Sequence, residues 1–145
     1  MKREVIVPQG QHISLRGEKM KREVIVPEGA PKPVGPYSPA IRWGNLVFCS
    51  GQTGVDPTTG TLVDGVAAQV RQTLQNLSVL LKGAGTDLAH ALKTTVYLTD
   101  MNDFTTMNGV YAEFFPQDPP ARTTVAVKAL PIGALVEIEV IAAIE

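Results

Sequence analysis

Between Val66 and Leu98 the spacing of apolar residues changes period, and that change limits the chain to folds that lay a helix on a sheet. Val66, Val70, Leu74, Leu77 and Leu81 recur every three or four residues, the repeat of one helix face. Asp64 is available to cap the start of this helix, and Gly83 or Gly85 to end it. Gln69, Arg71, Gln72, Gln75 and Asn76 are expected on its outer face, so the helix is one-sided and needs an apolar surface beneath it. That surface follows at once: Leu92, Thr94, Val96 and Leu98 alternate with Lys93, Thr95, Tyr97 and Thr99, the period of a half-buried strand.

The remaining elements fall around this pair. Met20-Lys21-Arg22-Glu23-Val24-Ile25-Val26-Pro27 repeats Met1-Lys2-Arg3-Glu4-Val5-Ile6-Val7-Pro8, and two copies of one strand cannot occupy one edge position. The domain is expected to start at the second copy and run over 20–145. Residues 1–19 are expected to be an appended, disordered extension, the remnant of an upstream start or of cloning. Gly29 to Pro39 reads as a loop, and Ala40 to Trp43 with Leu46 to Ser50 as a hairpin around Gly44-Asn45. Asp56 to Gly60 is a turn by composition. A second helix is expected from about Met101 to Phe115 with Phe104, Met107, Tyr111 and Phe114 as its core stripe. Gly109 weakens it by ~1 kcal/mol relative to alanine, so packing must hold it. Two last strands run from Arg122 to Val127 and from Leu135 to about Ile144. The order βββαβαββ predicts an α+β sandwich, two helices on one face of a mixed sheet.

Composition narrows the function. A chain of 145 residues, 44% hydrophobic and 19% charged, suits one domain with a real core. No apolar run approaches the ~20 residues of a membrane span, and Val5-Ile6-Val7 is too short for a signal-peptide core, so a soluble, cytoplasmic protein with no membrane partner is expected. The nitrogen and sulfur donors His12, His90 and Cys49 are too few and too scattered for a zinc site, and no Gly-rich phosphate loop follows a strand. No metal and no cofactor are expected. Cys49 follows Leu46-Val47-Phe48 with no histidine placed beside it, and reads as structural rather than nucleophilic. The first nineteen residues hold four bases and two acids; without them nine bases and twelve acids remain, a formal −3. That balance lacks the basic stripe of a nucleic-acid binder, so no nucleic-acid partner is expected.

One cation stands out. In Pro119-Pro120-Ala121-Arg122-Thr123-Thr124-Val125-Ala126-Val127, Arg122 opens a run that otherwise reads as a buried strand. A buried guanidinium needs an anionic partner, and its planar fork suits a carboxylate; the alternative is a strand-end arginine that reaches water. Alternation puts Arg122 and Thr124 on one face and Thr123, Val125 and Val127 on the other. If the apolar set goes to the core, Arg122 and Thr124 face a cleft or a subunit boundary. Glu137 and Glu139 share one face of the last strand, opposite Val136, Ile138 and Val140. Tyr37 lies in a loop stiffened by Pro36 and Pro39, either presented to a pocket or packed on the core rim. By themselves Ser50 is a turn residue and Asn108 a helix-surface residue.

Read in order, Gly35-Pro36-Tyr37-Ser38-Pro39-Ala40, Ser50-Gly51-Gln52, Asp103-Phe104 with Asn108 and Tyr111, Pro120-Ala121-Arg122, and Leu130-Pro131 before Val136-Glu137-Ile138-Glu139 resemble the RidA family, also called YjgF, of reactive-intermediate deaminases. The resemblance runs from about Glu23 to the C-terminus. It implies a chorismate mutase-like fold, a homotrimer with sites in the clefts between subunits, and cofactor-free hydrolysis of small-molecule 2-imino acids (2-iminobutanoate, 2-iminopropanoate) to 2-keto acids and ammonia. It assigns Arg122 to the substrate carboxylate, with backbone near Thr124 assisting, and Glu137 to the catalytic water. Tyr37, Ser50 and Asn108 would line the pocket, and Glu139 would be structural. Competing readings are a non-catalytic, ligand-binding or chaperone-like trimer, which would not need Arg122, and an endoribonuclease or translation inhibitor. A chorismate mutase on this architecture would need several cations for its dianionic substrate, where the candidate cleft offers one obvious arginine.

Overall fold

The helical repeat that begins at Val66 becomes α1 (Val66–Gly83), and the alternation at Leu92 becomes strand β8 (Ala91–Leu98) of the sheet beneath it. The computed structural model describes residues 4–7, 11–14 and 20–145. The expectation for residues 1–19 lies outside the described residues except for β1 (Glu4–Val7) and β2 (Gln11–Ser14), which pair with each other apart from the main sheet. The second copy of the repeat supplies β3 (Arg22–Ile25), paired with β4 (Ala40–Trp43).

β4 turns through Gly44-Asn45 into β5 (Leu46–Gln52), with Trp43 opposite Leu46. A small ladder of β6 (Val55–Asp56) and β7 (Thr61–Leu62) flanks the Asp56–Gly60 turn, where the Asp56 carboxylate accepts bonds from the Thr58 amide and hydroxyl. A 3-10 turn at Met101–Asp103 leads into α2 (Phe104–Phe114), which carries the chain across to β9 (Ala121–Ala126); β10 (Val136–Ala143) closes the domain. The six-stranded order is β3-β4-β5-β10-β8-β9, antiparallel except for the β8/β9 pair. A parallel pair needs a crossover, and α2 provides it. The expected α+β order is present, with the β6–β7 ladder added.

Both helices cover one face of this sheet. Val47, Val96, Leu98, Val136, Ile138 and Val140 from the strands are buried in one cluster with Leu74, Leu77, Leu80, Leu81 and Met107 from the helices. The Thr94 hydroxyl bonds the Tyr111 hydroxyl at 2.7 Å, fixing α2 over β8. The other face is open and leaves Phe48 41% and Val125 39% exposed.

Four expectations are corrected by packing. The N-cap of α1 is Gly65, with no side-chain bond from Asp64 or any other residue. Its C-terminus does use Gly85: at φ +93° that residue allows Thr86 N–H to reach Leu81 O and Gly85 N–H to reach Lys82 O, a Schellman closure. Gln69 and Asn76 are not on the outer face; they are 3% and 1% exposed, because each satisfies loop backbone that the helix buries. Gln69 Nε2 donates to Val63 O and its Oε1 accepts from Leu135 N–H, while Asn76 Nδ2 donates to Thr53 O and Val55 O. In α2 the buried residues are Met107, Val110 and Tyr111, whereas Phe104 is 37% exposed and Phe114 only partly buried.

The fourth correction concerns β9. Register puts Arg122 beside Thr94 and Thr124 beside Val96, so Arg122 and Thr124 share the helix-covered face while Thr123 and Val125 point to the open one. The strand sits at the sheet edge, where α2 covers it only partly, and the two half-buried side chains lie under the helix rather than opposite it.

Candidate functional site

The sequence-predicted residues gather in two clusters. On the helix side, Arg122 lies with its guanidinium carbon 4.8 Å from the Tyr111 ring centre and 5.7 Å from that of Phe104, and its Nη1 is 3.9 Å from Met107 Sδ. Aromatic faces attract a cation but do not neutralise it. Among the described residues no carboxylate pairs with Arg122. Asn108 stands on the same side of α2, four residues from Phe104, and Thr124 on the same side of β9. Among the described residues Asn108 Oδ1 and Thr124 Oγ1 are buried without a hydrogen-bond partner, so this edge has polar groups to offer beside the guanidinium.

On the open face lies a cavity of about 880 Å³, lined by the Gly29–Pro39 loop, β5, the Pro131-Ile132 turn and β10, with Tyr37, Ser50, Gly51, Glu137 and Glu139 on its wall. Ser50 anchors rather than presents: its Oγ donates to Ser38 O at 2.6 Å and its N–H to Pro39 O at 2.9 Å, which fastens the loop to β5. The Tyr37 hydroxyl accepts from Val34 N–H at 3.2 Å and keeps its own proton to donate. Ile132, half exposed on the rim, has φ +56°, a costly conformation for a β-branched side chain.

Of the two acids on the wall, Glu137 is the one with a raised proton affinity. Burial pushes its carboxyl above the usual carboxylate range, and the charge of Glu139 pushes it further. Gly51 makes the fit possible: a Cβ there would lie 2.7 Å from the Glu137 carboxylate. The motif Ser50-Gly51-Gln52 marks the position, but nothing local in the sequence gives the reason for the glycine. The Tyr97 hydroxyl, which sequence reasoning did not select, donates to Glu139 at 2.7 Å. Cys49 is buried and its thiol is pushed up to about 12, inert as expected.

One chain does not bring the two clusters together. Arg122 is absent from the cavity wall, and it lies on the helix-covered face while Glu137 lies on the open one.

Comparison with known proteins agrees with this architecture. The family model described as endoribonuclease L-PSP matches residues 27–144. A RutC family protein of Pyrococcus horikoshii is 53% identical over 114 residues, 78% of this chain and 90% of that protein. The human protein named 2-iminobutanoate/2-iminopropanoate deaminase is 46% identical over 114 residues, covering 78% of this chain and 83% of the human one. The crystal structure of RidA from an Antarctic Psychrobacter matches with a TM-score of 0.83 at 42% identity, over 84% of this chain and 99% of that one. With its two helices on a mixed sheet and its motifs in place along the matched span, the chain belongs to the YjgF/RidA family.

Proposed function

We propose that the protein hydrolyses 2-imino acids, 2-iminobutanoate and 2-iminopropanoate among them, to 2-keto acids and ammonia. The observation that carries this reading is Glu137: a half-buried carboxyl with a raised proton affinity and no hydrogen-bond partner among the described residues, on the wall of a cavity large enough for a small acid. Such a carboxylate takes a proton from water more readily than an ordinary one. Relatives named as deaminases of these imines support the substrate class.

Imines already react with water, so the chain need only bind, orient and move protons. Arg122 offers two parallel bonds to the substrate carboxylate, and its aromatic setting orients the fork without competing for it. Glu137 takes a proton from water as the new C–O bond forms at the imine carbon, and passes it to the imine nitrogen to give the carbinolamine. Glu137 then takes the carbinolamine hydroxyl proton and gives it to the amino group, and ammonia leaves as the C–N bond breaks and the keto C=O forms. Holding the two reactants in place removes much of the entropic barrier to attack. Because Arg122 and Glu137 face opposite sides of one sheet, this chemistry calls for the arginine of one copy at the cavity of another; the family resemblance supports a homotrimer as that assembly. The description of the family model offers endoribonuclease as a second reading, yet residues 20–145 carry nine bases against twelve acids, without the basic excess that a phosphate backbone needs.

A coupled assay that generates 2-iminobutanoate tests the proposal. Arg122→Lys should keep the fold and lower kcat/KM roughly 30–150-fold, the loss of about 2–3 kcal/mol expected when a two-point contact to a carboxylate is reduced to a point charge. Glu137→Gln should lower mainly kcat. Wild-type hydrolysis by either variant refutes the assignment, and cleavage of RNA that both variants lose would favour the nuclease.

A further inference from the structure

Glu137 has company on its side of β10. Glu139, two residues on, shares its face and lines the same cavity. Tyr97 is the cross-strand partner of Glu137, yet its hydroxyl passes the carboxylate opposite and bonds the next one, Glu139, at 2.7 Å. Such a diagonal contact is within the reach of an aromatic side chain. On the other flank Ile138 pairs with Gln52 and Val140 with Cys49, so Ser50 and Gly51 together stand against Glu139 alone, a bulge of the kind that re-aims side chains beside functional sites. The two carboxylates are therefore unequal. Glu139 is held by a donor; Glu137 has none among the described residues and is closed in by Gly51.

We infer that Tyr97 and Glu139 are a positioning pair for Glu137: Tyr97 fixes the Glu139 carboxylate on the strand face and cavity wall that it shares with Glu137, so that Glu137 meets water beside a second carboxylate held in one place. This deepens the deaminase reading and rests on it. Two like carboxylates in unlike environments divide the work, one held by a donor and the other open to take the proton. The electrostatics agree in direction. Glu139 pushes Glu137 upward after burial, and Tyr97 is pushed up first by its bond to Glu139, so the phenol remains a donor.

Other charged and titratable groups face the pair. Lys93 of β8 borders Glu139, but its ammonium donates to Thr123 Oγ1 at 2.6 Å. Lys32 and Tyr37 line the cavity from the loop, and β5 contributes the buried, neutral thiol of Cys49. Among the described residues none forms an ion pair with either glutamate. In the proposed assembly the Arg122 guanidinium of a second copy would also face Glu137, so the measurement belongs on the assembled protein.

Carbon-13 NMR of glutamate-labelled protein reads the Glu137 carboxyl titration directly, without reference to activity. Its midpoint should move to lower pH in Glu139→Gln and, by a smaller step, in Tyr97→Phe. The acid limb of kcat/KM for 2-iminobutanoate should move with it, and the plateau should fall about two- to fivefold as the base weakens. A Glu137 midpoint unmoved in Glu139→Gln overturns the pair, whatever the activity does. A midpoint that moves while Glu137→Gln keeps wild-type hydrolysis overturns the base role of Glu137, and with it the catalytic purpose of the pair.

Discussion

A single glutamate carries most of the chemistry assigned to this chain, and its position has a cost in stability. Burial and Glu139 both raise the Glu137 carboxyl above its unfolded value, so the folded state holds the proton more tightly than the unfolded one. Below the ordinary carboxylate value, about 4.3, both states are protonated and the residue costs nothing. Stability is lost as pH rises from there through the folded value, and the full cost applies above it. Glu137→Gln should therefore unfold at a higher temperature than wild type at pH 7, with the gap closing near pH 4. Thermal unfolding at the two pH values checks this, and a variant no more stable than wild type at pH 7 would contradict it. A functional residue that works against stability is a common trade.

At the scale of elements, α1 supports the cavity as well as the core. Gln69 lies on its buried side and clasps two connections at once, Val63 ahead of the helix and Leu135 just before β10. Replacing it with leucine strands a half-buried carbonyl and a half-buried N–H, at a cost of about 1–3 kcal/mol, the lower part of the range for two unmet groups. Gln69→Leu should lower the denaturant midpoint accordingly and speed hydrogen exchange at the Leu135 amide; unchanged exchange there would show that the clasp is dispensable. Polar residues at helical spacing usually face water, which is why the sequence alone places Gln69 and Asn76 outward. The residues that needed them, Val63, Leu135, Thr53 and Val55, lie on loops whose paths no local pattern reveals.

For the whole molecule the decisive fact is that Arg122 and Glu137 occupy opposite faces of one sheet. A cyclic homotrimer that docks the β9 edge of one copy at the cavity of the next would join them at three equivalent sites, and it would cover the open face that exposes Phe48 and Val125. Complementation separates this from a one-chain site. Arg122→Lys and Glu137→Gln chains, each nearly inactive alone, should regain about a quarter of wild-type activity when refolded together in equal amounts, since each mixed trimer rebuilds one intact site of three. No recovery, or a monomer mass by light scattering at micromolar concentration, would remove the shared site.

The sequence by itself determined the order of the main elements, because the periods of 3.6 and 2 are local properties of the chain, and it singled out Arg122 because charge in an apolar run is visible residue by residue; Glu137 was set apart from Glu139 only by the family resemblance. It also determined that Glu137 and Glu139 share a face, since alternation along a strand admits no other outcome. The face taken by Arg122 was decided only by tertiary structure. Thr123, Val125 and Val127 look like the core set, but β9 is an edge strand whose orientation follows its register with Thr94 and the reach of α2, not its own hydropathy. The need for glycine at position 51, the diagonal bond from Tyr97 to Glu139 and the separation of the site into two clusters were decided there too. Each depends on which strand lies beside which, and contacts between residues far apart in the chain leave no period in the sequence to be read.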